Sequence, residues 1–335
     1  MIKHISTVLS FSAALSILPA LAAPVTWDMP NEYPATSIQG KGDQFFAEQL
    51  LQTSKGEIKI AHHFGGALGL KSKDQLDAVG DGMVALANTF ISPLGGMNPI
   101  FLLPSLPLIT SNSEEARQLF EAAKPEYDKV LAKYNQKLLY PSPWPSSGLW
   151  GKQPMIDHES VTNLKMRTYD VNGTKVFRNA GAAPIQLSWA DIVPQLSTGG
   201  IDAVLTSIEA GLSSSFNDYS SHFTALNYDS TINLVTINLD IWEDLSPELK
   251  QAVLDAADAT QTYVWKNIDG VVQGNYAEAR KRGMTVVEEI PAEFREEMQT
   301  LAQPVIADWT KKMGATGEKI LNKYNEDRKV LLAAH

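Results

Sequence analysis

The sequence predicts an α/β fold of two domains that are joined by crossing strands and by one long helix. The chain has 335 residues, which is enough for two domains of ordinary size. Strand and helix patterns alternate over residues 25–91 and again over residues 165–205, as expected where helices cover the faces of a sheet. A helical pattern then runs from residue 246 to about residue 283, which is long enough to lie across both domains.

The first part of the chain has a β-α-β-α-β order. It begins with a strand at residues 25–29, a helix at residues 37–53 and a strand at residues 57–64. Ser72 and Gln75 have the spacing of a capping box that opens the next helix. The continuous apolar run at residues 83–91 indicates a buried strand. This order favours a parallel sheet with helices on its faces.

The second part repeats the alternation after residues 141–150, a segment rich in proline and tryptophan that suits a crossover between domains. Ser188 and Asp191 are predicted to open a helix between two strands. An amphipathic helix is predicted at residues 113–134, and the two strands on either side of the Ser188 helix are at residues 165–169 and 201–205. A strand that crosses back follows at residues 232–238, then the long helix at residues 246–283 and a last strand at residues 284–290. Two amphipathic helices end the chain.

The crossover and the returning strand set the expected domain boundaries. Domain I is predicted to combine residues 23–148 with residues 232–272. Domain II is predicted to combine residues 149–231 with residues 273–335. Both domains are therefore discontinuous in sequence, because the chain passes from the first to the second and back again.

Residues 1–22 have the pattern of a cleavable signal peptide. Lys3 supplies a positive charge before an apolar stretch at residues 5–18, and Ala20-Leu21-Ala22 provides the small-x-small cleavage pattern. The alternatives are a buried N-terminal helix or an uncleaved anchor, but the apolar run is short for a bilayer span. We therefore predict export of the chain and cleavage after Ala22.

The composition excludes several classes of function. The chain has no cysteine, which excludes thiol catalysis, iron–sulfur clusters, cysteine-ligated zinc and disulfides. Once residues 1–22 are removed, 27 cationic and 38 acidic residues leave a net charge of −11. Such a chain is a poor partner for nucleic acid. A bound anion would need a local cationic group, because the overall field repels it.

Enzyme signatures are missing from the sequence. It contains no nucleophile elbow, no phosphate-binding glycine loop and no His-Glu-x-x-His motif. His62 and His63 are adjacent on a predicted strand, so their side chains point to opposite faces and do not suit one metal ion. His158 and Glu159 lie in a polar loop. We therefore expect no catalytic residue, no metal ion and no cofactor.

Arg167 is the candidate anchor for a ligand. It lies on the strand predicted at residues 165–169, directly after the proposed crossover. Ligands of open α/β sheets gather at the carboxyl ends of the strands. A guanidinium in that position can hold a carboxylate through two parallel hydrogen bonds, which lysine cannot do. The alternative from the pattern alone is an ordinary surface arginine.

Seven short stretches, spread over residues 65–245, resemble one family of binding proteins. They are Gly65-Gly-Ala-Leu-Gly69, Val79-Gly-Asp-Gly82, Leu164-Lys-Met-Arg167, Gly181-Ala-Ala-Pro184, Ser188-Trp-Ala-Asp191, Gln195-Leu-Ser-Thr-Gly-Gly-Ile-Asp202 and Asn238-Leu-Asp-Ile-Trp-Glu-Asp-Leu245. In order and spacing the chain resembles the solute-binding proteins of tripartite ATP-independent periplasmic (TRAP) transporters, of the DctP type.

This resemblance implies a periplasmic binding protein-like fold, with two α/β domains that close around a small organic acid in a cleft. It implies that Arg167 pairs with the carboxylate of the ligand. It also implies a periplasmic receptor, not an enzyme, that delivers its ligand to TRAP-type membrane subunits. We expect a monomer with no nucleic acid partner.

The chain departs from the family pattern in two places. After the aspartate that corresponds to Asp202, many members read Gly-Gln-Glu-Asn-Pro, whose asparagine helps to hold the ligand, whereas residues 203–207 are Ala-Val-Leu-Thr-Ser. The hydroxyls of Thr206 and Ser207 are candidates for that role. The spacing from Arg167 to Gly181 is also one residue shorter than usual. These departures leave an organosulfonate or an aromatic acid open as alternatives to a carboxylate.

Aromatic side chains are expected to form the walls of the pocket. The candidates are Phe90, Trp144, Trp150 and Trp189, each of which could pack on the apolar body of a ligand. The alternative for each is packing in the core or at the hinge. Asn233 and Thr206 are expected to supply hydrogen bonds that orient the ligand. A periplasmic hydrolase or lyase, and an adhesion or scaffold protein, are the alternatives from other functional classes.

Overall fold

The computed structural model describes residues 23–334, so the predicted signal peptide at residues 1–22 lies outside the described residues. The strands are β1 (Val25–Pro30), β2 (Ile58–His63), β3 (Leu86–Phe90), β4 (Gln136–Pro143), β5 (Ser147–Gly151), β6 (Lys165–Thr168), β7 (Ala183–Gln186), β8 (Ala203–Ser207), β9 (His222–Thr224), β10 (Ile232–Asn238) and β11 (Thr285–Val287).

The α-helices are α1 (Ile38–Thr53), α2 (Ser72–Gly80), α3 (Ser113–Ala132), α4 (His158–Val161), α5 (Val171–Asn179), α6 (Trp189–Thr198), α7 (Ile208–Ser213), α8 (Leu239–Glu243), α9 (Pro247–Lys281), α10 (Ala292–Met313) and α11 (Ala315–Ala334). Short 3-10 helices lie at Ser92–Gly96, Pro99–Ser105 and Phe216–Asp218. Among the helices described, none combines the length and the apolar character needed to cross a membrane.

The first set of strands contains both parallel and antiparallel pairs. β1 and β2 are parallel along their whole length, and a parallel bridge between Asn31 and Asn88 links the end of β1 to β3. β10 lies between β3 and β4 and is antiparallel to both. The parallel sheet predicted from the β-α-β-α-β order is therefore only part of the arrangement, because the returning strand runs in the opposite direction.

The second set of strands forms one mixed sheet in the order β11-β9-β5-β8-β6-β7. β6 is parallel to both of its neighbours, β7 and β8. β5 is antiparallel to β8 and β9. β6 is therefore an inner strand, and Arg167 lies on it within the sheet rather than at the exposed edge.

Two connections between the two sets of strands run side by side. Residues 144–146 link β4 to β5, and residues 225–231 link β9 to β10. Their backbones are joined by hydrogen bonds from Trp144 N to Thr231 O and from Ser147 N to Asp229 O, both 2.9 Å long. The segment predicted as a single stiff crossover, residues 141–150, thus contains the end of β4, a short link and all but the last residue of β5.

Helix α9 confirms the prediction of a long helix that contacts both parts of the molecule. It has 35 residues, begins after Ser246 with Pro247 in its first turn, and Ser246 accepts a hydrogen bond from Leu249 N. It packs against α1 and β4 of the first part of the molecule, and against α7 and β11 of the second part. The helix therefore serves as a common support for both sets of strands.

Two local predictions were wrong. Ser72 is not the N-cap of α2, because Lys71 occupies that position, and Ser72 instead donates its hydroxyl and its backbone N–H to Glu32. The strand predicted at residues 83–91 begins only at Leu86, and Met83 is 69% exposed. In each case a long-range contact, which local sequence does not encode, decides where the element begins.

The last helix packs against the first part of the chain. Tyr324 on α11 donates its hydroxyl to Ile109 O, and Arg328 pairs with Glu115 at the start of α3. The predicted domain boundaries, which assign residues 273–335 to domain II, stay a prediction.

Gly148 on β5 provides a test of the packing between strands. A Cβ at this position would lie 2.4 Å from the Phe223 ring and 2.5 Å from Thr224 O, which is backbone and cannot move away easily. We expect Gly148→Ala to lower the free energy of unfolding by about 1–3 kcal/mol, measured by urea denaturation.

Gly274→Ala is the matched control for this substitution. Gly274 lies in α9, and no atom lies within 4 Å of the Cβ that the substitution adds. Because alanine is the better helix former, we expect this variant to gain up to about 1 kcal/mol. Equal stability of the two variants would contradict the strand packing described here.

Candidate functional site

A cavity lies between the first set of strands, the two connections and the second sheet. The volume that a water-sized molecule can occupy within it is about 10 Å³, so the surrounding side chains nearly fill the cavity. Ligand sites usually measure about 300–1,000 Å³, so a small molecule can enter only when the two sides of the cavity move apart. Its lining residues are Tyr33, Phe90, Trp144, Ser147, Arg167, Tyr169, Trp189, Thr206, Ser207, Ala210 and Thr231.

Arg167 is the only charged residue in this lining. Its side chain is 3% exposed. Nε donates to Leu187 O and Nη1 donates to Leu205 O, each at 3.1 Å. The guanidinium carbon lies 5.5 Å from the ring centre of Tyr169 and 5.9 Å from that of Trp189, so aromatic rings hold the plane of the group.

The charge of Arg167 has no carboxylate partner within the described residues, where it forms no ion pair. Nη2 donates no hydrogen bond to any residue of the described chain. Burial lowers the pKa of Arg167, while nearby groups that include Glu32 and Asp170 favour the charged form. A buried cation without a partner is costly. The site is therefore suited to an anion that arrives with the ligand.

Aromatic rings form most of the remaining wall. The Tyr33 ring centre lies 4.6 Å from that of Trp144 and 5.0 Å from that of Trp189. Phe90 contacts Tyr169 edge to face at 5.5 Å. These contacts lock the rings against one another, so the cavity presents rigid apolar faces on several sides of the guanidinium.

Asn233 and Trp150 were predicted to face the ligand, and the structure places both outside the lining of this cavity. Asn233 is fully buried on β10, behind Trp144, where its Oδ1 accepts the indole N–H of Trp144 at 2.7 Å. Trp150 is fully buried in the core, packs against Phe216 and Phe223, and donates to Ser207 O. Neither side chain belongs to the cavity lining.

The other predicted residues lie together around the cavity: Phe90, Trp144, Trp189, Thr206 and Ser207. The hydroxyl of Thr206 makes no hydrogen bond to a described residue, so it is available to a ligand. Ser207 Oγ accepts the backbone N–H of Ala210 at the start of α7. Its proton remains free to donate.

Sequence reasoning missed four polar residues of the lining, namely Tyr33, Ser147, Tyr169 and Thr231. For Tyr169 a signal existed, because it follows Arg167 by two positions and strand residues at that spacing share a face. Tyr33 lies in a loop after β1, and Thr231 lies in a connection. Nothing in the local sequence identifies Tyr33 or Thr231 as a residue of the cavity lining.

Two polar contacts join the two sides of the cavity. Glu209 on α7 accepts the backbone N–H of Ile38, the first residue of α1, at 2.8 Å. Lys71, the N-cap of α2, forms an ion pair with Asp191 on α6 at 2.8 Å. Burial is the main cause that raises the pKa of Glu209 to about 7, because the hydrogen bond from Ile38 and the charge of Lys41 only partly offset it.

Comparison with known protein families gives one clear result. The model of the family described as "Bacterial extracellular solute-binding protein, family 7" matches residues 30–312. A relative of known function is the ectoine-binding periplasmic protein of Halomonas elongata, which is 23% identical to this chain. That alignment covers 97% of this chain and 96% of the relative.

Two solved structures are similar in both fold and sequence. One is an extracytoplasmic solute receptor of Bordetella pertussis that binds pyroglutamic acid, with a TM-score of 0.86 and 27% identity over 90% of this chain and 99% of that one. The other is a TRAP solute-binding protein from an unidentified marine microbe, specific for pyroglutamate, with a TM-score of 0.87 and 27% identity over 91% and 100% of the two chains.

Glu209 is expected to make stability depend on pH. Its pKa of about 7 in the folded protein exceeds its ordinary value of 4.5, so the folded state holds the proton more tightly. The free energy of unfolding should therefore fall as pH rises from about 5 to 8, by about 1.4 kcal/mol for each unit of pKa shift. Glu209→Gln should flatten this profile in urea denaturation, because glutamine keeps an oxygen for Ile38 N and does not titrate.

Glu48→Gln on the exposed face of α1 serves as the control. It should leave the slope of unfolding free energy against pH unchanged. The slope of Glu209→Gln will not vanish entirely, because burial also raises the pKa of Asp43 to about 7. An unchanged slope in Glu209→Gln would show that this carboxyl does not titrate as inferred.

Proposed function

This chain belongs to bacterial extracellular solute-binding protein family 7, and from that membership we propose that its cavity captures a compact organic acid with a single carboxylate. As a member of this family it is a periplasmic-type solute-binding receptor of a TRAP transporter and not an enzyme. The observation that carries the proposal is the buried guanidinium of Arg167, which has no acidic partner among the described residues.

The charges around the cavity favour one carboxylate over two. Arg167 is the sole cation of the lining, and one carboxylate neutralises it. A second carboxylate would have no cationic partner there. It would also lie close to an acidic side chain, since Glu32 acts electrostatically on Tyr33 in the cavity wall. A dicarboxylate is therefore disfavoured relative to a monocarboxylate of similar size.

The walls of the cavity favour a flat or compact ligand body. The cavity is bordered by the rings of Phe90, Trp144 and Trp189, which suit an apolar ring or short chain. The hydroxyls of Thr206 and Ser207 are suited to a neutral polar group of the same ligand. The pyroglutamate bound by the two structural relatives is a small cyclic monocarboxylate of this kind.

Capture is proposed to proceed by closure about the two connections, residues 144–146 and 225–231. The ligand pairs with Arg167 in the open cleft, and closure then removes both charges from water, which strengthens their attraction. The contact of Glu209 with Ile38 and the Lys71–Asp191 pair would form in the same step, since each joins the two sides of the cavity.

We further propose that residues 1–22 are removed on export and that the mature receptor is a monomer. The supporting observations are the signal-peptide pattern and the receptor family. Mass spectrometry of the exported protein should give a chain that begins at Ala23, and light scattering should give the mass of one chain. A retained N-terminus or a dimer mass would contradict this proposal.

Arg167→Ala should abolish tight binding of a monocarboxylate. Truncating one partner of a buried charge pair costs about 2–5 kcal/mol, which corresponds to a loss of about 30- to 5,000-fold in affinity. Isothermal titration with pyroglutamate measures this loss on ligand-free protein. Arg167→Lys should bind more weakly than the natural protein, because lysine keeps the charge but not the two parallel donors.

Arg178→Ala is the control, since Arg178 is an exposed arginine at the end of α5. It should bind as the natural protein does. A panel that adds succinate, an aromatic acid and a small sulfonate tests the charge argument, with monocarboxylates expected to bind best. Equal affinity in Arg167→Ala, or tighter binding of succinate than of any monoanion, would overturn the proposal.

A further inference from the structure

The hydroxyl of Tyr169 is held in one orientation by a buried carboxyl. Tyr169 lines the cavity and donates its hydroxyl proton to Asp229 Oδ2. Asp229 is fully buried and belongs to the connection at residues 225–231, whose backbone is itself hydrogen-bonded to Ser147. The proton of Tyr169 therefore points away from the ligand and towards the connection.

This orientation decides what Tyr169 can offer to a ligand. A phenol has a single proton, so once that proton is donated to Asp229 the oxygen has only lone pairs left for other partners. Ser147 Oγ is 3.4 Å away, at the long limit for a hydrogen bond. By contrast, the hydroxyls of Tyr33 and Thr206 have no hydrogen-bond partner among the described residues and can rotate to donate or accept.

The carboxyl orients the phenol in this way when it is ionised, since a carboxylate can only accept hydrogen bonds. Burial is the main cause that raises the pKa of Asp229 to about 8, and the negative charge of Asp170 adds to it. Asp229 Oδ1 has no hydrogen-bond partner among the described residues, whereas Oδ2 receives the proton of Tyr169. When the carboxyl is protonated, a proton on Oδ2 can be donated to Tyr169, which frees the phenol proton. The other groups near this carboxyl are Ser147 and Tyr228.

The ring of Tyr169 lies close to the cation. Tyr169 follows Arg167 by two positions, and the guanidinium carbon is 5.5 Å from the Tyr169 ring centre. Both side chains line the same cavity, so we expect a ligand whose carboxylate pairs with Arg167 to bring neighbouring atoms within reach of the Tyr169 oxygen. An N–H or O–H at that position gains a hydrogen bond, whereas an oxygen without a proton opposes another lone pair in a buried site.

We propose that Tyr169, oriented by Asp229, is a specificity-determining residue that selects acids with an N–H or O–H donor beside the single carboxylate, a lactam carboxylic acid being one such ligand. This inference rests on the proposed function and deepens it. It assigns to the cavity a hydrogen-bond acceptor at a defined position as well as a positive charge. Buried polar groups built to pair with one ligand atom discriminate strongly against an analogue that lacks it.

Two ligands of nearly identical shape provide the test. Pyroglutamate has a ring N–H, and the corresponding lactone acid, 5-oxotetrahydrofuran-2-carboxylate, has a ring oxygen at the same position. We expect the natural protein to bind the lactam about 5- to 160-fold more tightly, measured by isothermal titration, since an unpaired buried acceptor costs about 1–3 kcal/mol. The ratio should be largest at pH 9, where Asp229 is mostly ionised and can only accept from Tyr169, and should be smaller at pH 6.5, where the protonated carboxyl can donate to Tyr169 instead.

Tyr169→Phe removes the acceptor and should reduce the lactam-to-lactone ratio to less than about threefold. Tyr228→Phe is the matched control, since Tyr228 is a fully buried neighbour whose hydroxyl has no partner among the described residues and which does not line the cavity. It should keep the ratio of the natural protein. Thermal unfolding of each variant verifies that it is folded.

The outcomes separate this inference from the proposed function. If both ligands bind with equal affinity in a manner that depends on Arg167, or if Tyr169→Phe keeps the preference, the role of Tyr169 is overturned while the receptor stands. If Tyr169→Phe does not fold, the ratio in the natural protein decides, and a ratio near one overturns the inference. If no monocarboxylate binds, or binding survives Arg167→Ala, the proposed function itself fails.

Discussion

The buried guanidinium of Arg167 is the constraint around which the cavity is organised. A cation removed from water needs hydrogen bonds and an opposing charge. The protein supplies the first through Leu187 O and Leu205 O, and it supplies aromatic faces through Tyr169 and Trp189. It supplies no carboxylate at ion-pair distance from within the described chain. In the function that we propose, the ligand supplies the opposing charge, so that binding and neutralisation are the same event.

Buried acids near the site are consistent with this division of roles. Burial raises the pKa of Asp170 to about 6, that of Glu209 to about 7 and that of Asp229 to about 8. Near neutral pH Glu209 and Asp229 therefore carry protons for much of the time, which weakens their repulsion of an anion, whereas Asp170 is mostly ionised. Each instead has a hydrogen-bonding role: Glu209 links α7 to α1, and Asp229 orients Tyr169.

Much of the fold follows from patterns within short windows of sequence. The long helix was predicted from its apolar spacing and from Ser246 and Pro247, which begin a helix by local hydrogen bonding and backbone preference. The returning strand was predicted at residues 232–238 and is β10. The fold class and the receptor family were likewise evident from the sequence, whereas the antiparallel pairing of β10 and the packing of α11 on α3 depend on contacts far apart in the chain.

For the cavity, the sequence by itself determined the cation and most of the aromatic wall, and the tertiary structure decided the rest. Arg167 could be identified because its residue type, strand position and surrounding motif agree. Trp150 and Asn233 could not be placed, because the face of a strand that meets the cavity depends on how the two sheets are turned towards each other. Tyr33 and the orientation of Tyr169 by Asp229 arise only when distant segments meet, since a hydrogen bond between residues 60 positions apart leaves no local pattern.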